Sequence, residues 1–128
     1  MTYIHIIATL AVVQYFVFGI LVGRARAKYG VNAPAVSGNE GFERVLRVQM
    51  NTLEQLAGFL PAMFIAAQYW PATAVAAVGV VYLLGRIVYW RAYLSDPTKR
   101  RLEFLMTVVP TFILLGASLV GAVLHIGS

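Results

Sequence analysis

From Tyr3 to Gly23 the chain carries no Lys, Arg, Asp or Glu, and nearly every side chain in this run is apolar. A helix needs about 20 predominantly apolar residues to cross a bilayer core of about 30 Å, so the run is long enough to span. Three more stretches have the same character, at about 45–70, 72–94 and 102–126. Together the four stretches use most of the chain and predict an all-α integral membrane protein: one domain over residues 1–128, built as a four-transmembrane-helix bundle. The first run is expected to be a retained helix and not a signal peptide, because no basic residue precedes it and it is too long for the apolar segment of a signal.

The connections differ in charge. Arg24, Arg26, Lys28, Arg44 and Arg47 lie in or beside the first, Lys99, Arg100 and Arg101 in the third, and the second, around Tyr69-Trp70-Pro71, has none. In a four-span chain the first and third connections share a side, and the positive-inside rule places that side in the cytoplasm. Gly30, Pro34, Gly38 and Gly41 predict an irregular loop over about Arg24–Glu43. Asp96-Pro97 predicts the turn that ends the third helix.

Composition sharpens this picture. Hydrophobic residues make up 60% of the chain and charged residues 12%, against about 25% charged in an average soluble domain. The net charge of +5 would suggest nucleic acid in a soluble protein, but beside long apolar runs it records topology and anionic headgroups; no nucleic-acid partner is expected. The chain has no cysteine, so it has no disulfide, no thiolate metal ligand and no cysteine nucleophile. Any thiol chemistry needs a thiol carried by the substrate. HExxH, Ser/His/Asp and phosphate-loop patterns are missing from the sequence, and no metal site is expected. His5 and His125 fall near the ends of their helices opposite the basic connections.

Two helices carry polar groups where lipid would otherwise be expected. Arg44, Arg47, Gln49, Asn51, Glu54 and Gln55 crowd the start of the second helix, and the spacing of Arg47, Asn51 and Glu54 puts those three on one face. On the third helix Tyr82, Arg86, Tyr89 and Tyr93 share a face, and an arginine as deep as Arg86 must point at protein or water. Two readings stay open at this point: a structural network that knits the helices together, or a polar pocket near the basic side, splayed by a kink at Pro61. Guanidinium, carboxylate, amide and phenol groups in one place suit a small zwitterionic ligand rich in carboxylates. Helices one and four lack such groups and are expected to face lipid. Their small residues Gly116, Ala117, Ser118, Gly121 and Ala122 suit close helix approach.

The run Phe42-Glu43-Arg44-Val45-Leu46-Arg47-Val48-Gln49-Met50-Asn51-Thr52-Leu53-Glu54 resembles the signature of the MAPEG family, the membrane-associated proteins in eicosanoid and glutathione metabolism. Gly85-Arg86-Ile87-Val88-Tyr89, then Tyr93 and Asp96-Pro97-Thr98-Lys99-Arg100, is similar to its microsomal glutathione S-transferase and leukotriene synthase branches. The resemblance implies a homotrimer that binds glutathione, as co-substrate, between neighbouring subunits. It implies glutathione contacts at Arg26, Arg47, Gln49, Asn51, Glu54, Tyr89 and Tyr93, with Arg86 in an inner polar layer. It makes Arg100 the catalytic, thiol-activating arginine, with Lys99 and Arg101 as adjacent alternatives.

The implied activity is glutathione transfer to hydrophobic electrophiles, with glutathione peroxidase as a further expectation. The competing reading is a non-catalytic lipid- or glutathione-binding membrane protein. Gln55 and Ala27 depart from the leukotriene synthase pattern, which has a tyrosine and an arginine there, and they argue against that branch's specialised lipid substrate. The small size and the lack of an ER-retention tail favour a bacterial inner membrane over the ER.

Overall fold

The computed structural model describes residues 1–95 and 101–127. Among these are four helices and no strand: α1 (Thr2–Tyr29), α2 (Glu40–Tyr69), α3 (Ala72–Ser95) and α4 (Arg101–Leu124). Three helices are long and apolar enough to cross a membrane by length and composition, over Thr2–Tyr29, Ala72–Leu94 and Leu105–Leu124. The fourth expected span, α2, falls outside that group because its first half carries the charged and amide residues noted above. It is nonetheless 30 residues long and packs against α1, α3 and α4.

The first connection is much shorter than expected. α1 does not stop at Gly23 but continues through Arg24, Arg26 and Lys28 to Tyr29. The apolar run ends where the bilayer core ends, but nothing in the sequence breaks the helix before Gly30. At 28 residues and about 1.5 Å per residue, α1 is roughly 42 Å long, so its basic last turns project beyond a core of about 30 Å. Gly30 then takes the left-handed conformation at φ 70, and its N–H caps the Arg26 carbonyl, a terminus that favours glycine for lack of a Cβ. α2 likewise begins before the expected residue 45. Asn39 is its N-cap, with its side chain accepting from Phe42 N–H at 3.1 Å, and Glu40 and Glu43 stand in the first turn, where negative charge opposes the helix dipole.

Pro61 lies inside α2 and Pro110 inside α4, and each helix continues past its proline as a single element. Proline removes one intrahelical donor, so Pro110 leaves the Met106 carbonyl without its usual partner. That carbonyl lies 2.9 Å from where a Gly85 Cβ would stand, so glycine at 85 is what lets α3 and α4 approach here. Gly121 is similarly pressed, by the Tyr69 ring, whereas Gly116 faces open space. Of the small residues expected to support close approach, Gly121 and Ser118 do so. The Ser118 hydroxyl lies 2.8 Å from the Ala62 carbonyl of α2.

The buried side chains form separate clusters along the bundle. Ile4, Ile7 and Ala11 of α1, Leu56, Phe59 and Met63 of α2, Val75 and Tyr82 of α3 and Leu114 of α4 form its main cluster. Phe59 and Tyr82 stack at 3.8 Å between ring centroids. A second cluster nearer the basic end holds Phe18, Val48, Tyr89 and Tyr93. The outward faces of α1 and α4 are apolar, with Phe16, Ile20, Phe112 and Leu119 all exposed. Water would not sustain such a surface, and a bilayer would. The indole N–H of Trp70 donates to the Ala117 carbonyl at 2.8 Å, fastening the α2–α3 turn to α4.

Candidate functional site

Arg86 is the centre of the polar interior. Its relative exposure is 0%, and α3 delivers its guanidinium straight against α2. Nη1 donates to Asn51 Oδ1 at 2.8 Å. Nη2 donates to Thr52 Oγ1 at 2.6 Å and reaches the Val48 carbonyl at 3.4 Å. The Thr52 hydroxyl itself donates to the Val48 carbonyl at 2.7 Å, so it accepts and donates at once. The guanidinium also lies over the Tyr89 ring, 4.5 Å from its centroid, and Tyr89 and Tyr93 stack with centroids 5.6 Å apart.

Among the described residues, every partner of Arg86 is neutral. A buried cation needs compensating dipoles, and here a carbonyl, an amide oxygen, a hydroxyl and an aromatic face supply them. The planar fork of arginine suits this arrangement, since it can reach Asn51 and Thr52 together where a lysine ammonium is a single point. Arg86 Nε and the Tyr82 hydroxyl are buried with no hydrogen-bond partner among the described residues. The inward stripe expected from spacing is thus observed, with Tyr82, Arg86, Tyr89 and Tyr93 all buried.

The α2 set divides. Asn51 turns its carbonyl oxygen towards Arg86, which commits that atom and leaves its amide N–H groups for a partner elsewhere. Arg47 and Glu54 stay exposed on the single chain, and among the described residues neither forms an ion pair. Met50 and Leu53 are exposed beside them. One face of α2 therefore mixes opposite charges with apolar side chains and is not covered by the chain's own helices. Arg44, by contrast, pairs with Glu40 at 2.8 Å.

Two expected contact residues sit apart from this cluster. Arg26 donates to the Ala35 carbonyl at 2.8 Å and lies 4.8 Å over the Phe42 ring, so it clamps the first connection onto α2. Gln49 turns towards α1, its Nε2 lying 2.9 Å from the position of a Gly19 Cβ. Arg100, with the alternative Lys99, lies outside the described residues. Thr52 is the functional group that sequence spacing missed. A threonine in an apolar run carries no charge signal; the only hint is its adjacency to Asn51, one helical step round from the polar face.

Apolar helices enclosing an arginine-centred polar interior define a multi-pass integral membrane protein with an uncovered, partly charged face on one helix. The model of the MAPEG family matches residues 4–120, and the chain belongs to that family. An uncharacterized protein of Synechocystis sp. is 51% identical over 121 residues, 94% of this chain and 85% of the relative. The human microsomal glutathione S-transferase 2 is 36% identical over 96 residues, covering 75% of this chain and 65% of that protein, just under two thirds of its length. The leukotriene C4 synthase of Cavia porcellus is 30% identical over 119 residues, 93% of this chain and 79% of that protein.

Proposed function

We propose that the protein is a membrane-bound glutathione transferase that assembles as a homotrimer and conjugates hydrophobic electrophiles. The observation that carries this reading is the uncovered α2 face: Arg47 and Glu54, opposite in charge and exposed, flank an Asn51 whose carbonyl is already committed to Arg86. Glutathione has two carboxylates, one ammonium group and one thiol. Arg47 suits a carboxylate through paired N–H donors, Glu54 suits the ammonium, and the free amide N–H groups of Asn51 suit a second carboxylate or a peptide carbonyl. The relatives named as glutathione S-transferase and leukotriene C4 synthase support the same ligand.

A second copy of the chain accounts for the face being open. Glu54 stands roughly 20 Å along α2 from Glu40, and a carboxylate at that depth is costly against lipid. A neighbouring subunit would cover it and would bring its own Arg26 and Gln49 to the same ligand. Tyr89 and Tyr93 back the site from α3. Arg100 is the proposed activator: a guanidinium beside sulfur favours the charged form, lowering a thiol pKa from about 8.5 and supplying thiolate at neutral pH. The thiolate then forms the C–S bond as the electrophile's leaving group departs. With a second glutathione, the same thiolate would reduce a lipid hydroperoxide to its alcohol and water while the two glutathiones are oxidised to the disulfide, the peroxidase activity. The cyanobacterial relative supports a bacterial inner membrane, and the positive-inside rule is what puts the basic first and third connections in the cytoplasm.

The test is calorimetric titration of the purified protein with glutathione, alongside Arg47→Ala and Glu54→Gln. The proposal expects saturable binding, weakened at least ten-fold by either substitution, the usual consequence of leaving one partner of a charge pair unpaired. No saturable binding by the wild type, or equal affinity in all three proteins, would remove it.

A further inference from the structure

We propose that a second site, distinct from the α2 face, holds the phosphate-bearing headgroup of an anionic lipid in a cleft between the ends of α1, α2 and α3. The cleft has a volume of about 390 Å³, and Arg24 and Lys28 of α1, Arg44 of α2 and Trp90 of α3 line it together with apolar Leu21 and Val45. None of these residues belongs to the proposed glutathione set. The inference rests on the membrane assignment, not on the glutathione reading.

Three observations point to an anionic amphiphile. First, three cations converge on the cleft, and among the described residues no carboxylate lines it. Among the described residues Glu40 forms the one ion pair with them, to Arg44, from an exposed position, while Arg24 has no hydrogen-bond or ion-pair partner. Second, the indole Nε1 of Trp90 is buried with no acceptor among the described residues. A buried donor without a partner is disfavoured, and Trp90 is among the residues that line the cleft.

Third, the cleft lies where the apolar part of α1 gives way to its basic last turns, the depth at which lipid headgroups sit and tryptophan is enriched. The apolar floor beside the cations favours an acyl-bearing anion over a free one.

Native mass spectrometry of the full chain released from nanodiscs of equal phosphatidylglycerol and phosphatidylcholine tests the proposal. Phosphatidylglycerol is expected to be retained selectively. Replacing Arg24 and Lys28 with Gln should cut that selectivity about five-fold for each cation removed. Trp90→Phe keeps the ring and removes the N–H, and should also weaken retention, which a diffuse electrostatic attraction would not show. Glutathione affinity is expected to be unchanged in these variants, so failure here is separable from failure of the transferase reading. Equal retention of the two lipids, or selectivity unaffected by both sets of substitutions, would overturn the site. So would inorganic phosphate alone competing the lipid away at millimolar concentration, which would make it a site for small free anions.

Discussion

Thr52→Val isolates the hydrogen bonding that holds Arg86, because valine nearly matches threonine in shape and keeps the β-branch. Thr52 is fully buried. Its hydroxyl accepts from Arg86 Nη2 at 2.6 Å, and without it that nitrogen keeps only the Val48 carbonyl at 3.4 Å, a poor bond. Side-chain bonds between membrane helices average about 0.6 kcal/mol and reach about 1.7, and bonds to charged groups run about 1.5–3 kcal/mol. A short bond from a fully buried guanidinium belongs at the upper end, so the expected loss is about 2 kcal/mol.

The assay is unfolding of the purified protein in detergent, followed by tryptophan fluorescence, with Thr52→Ser as the companion variant. Serine keeps the hydroxyl and loses only a methyl group, so it should be closer to wild type than valine is. Because Arg86 also fixes the Asn51 amide, Thr52→Val should raise the half-saturating glutathione concentration several-fold. A Thr52→Val protein as stable as wild type, with Thr52→Ser the less stable of the pair, would show that packing and not hydrogen bonding holds this residue.

Other substitutions probe the frame around the site. Gly85→Ala would drive a methyl group into the Met106 backbone, 2.9 Å from its carbonyl oxygen; overpacking of this kind costs about 1–3 kcal/mol, and the same unfolding assay should show it. Asn39→Ala removes the cap of α2 and should cost about 1 kcal/mol, with hydrogen exchange rising at the start of that helix before it rises elsewhere.

The sequence was most informative where burial conflicts with polarity. An arginine eight residues from the end of an apolar helix has few places to go, so spacing alone turned Tyr82, Arg86, Tyr89 and Tyr93 inward, and the structure buries all four. Helix ends were less legible. Apolar content reports the thickness of the bilayer and not the length of the helix, which is why α1 runs on to Tyr29 and α2 starts at Glu40 while the sequence pattern suggested a loop between Arg24 and Glu43. Shared faces also do not imply shared contacts: Arg47, Asn51 and Glu54 lie on one side of α2, yet only Asn51 meets Arg86. Thr52 stayed hidden because a hydroxyl in a helix carries no sign of which neighbour it serves.

The central question is whether this chain turns the glutathione thiol into a nucleophile. The deciding measurement is the rate of conjugate formation when purified protein, saturated with glutathione, is given a small aryl halide, followed together with thiolate absorbance. A transferase gives a thiolate signal at neutral pH and catalysed conjugation, both strongly reduced in Arg100→Ala. Binding without thiolate or conjugate would contradict the transferase reading and make the protein a non-catalytic binder, and full activity in Arg100→Ala would contradict the role given to that arginine.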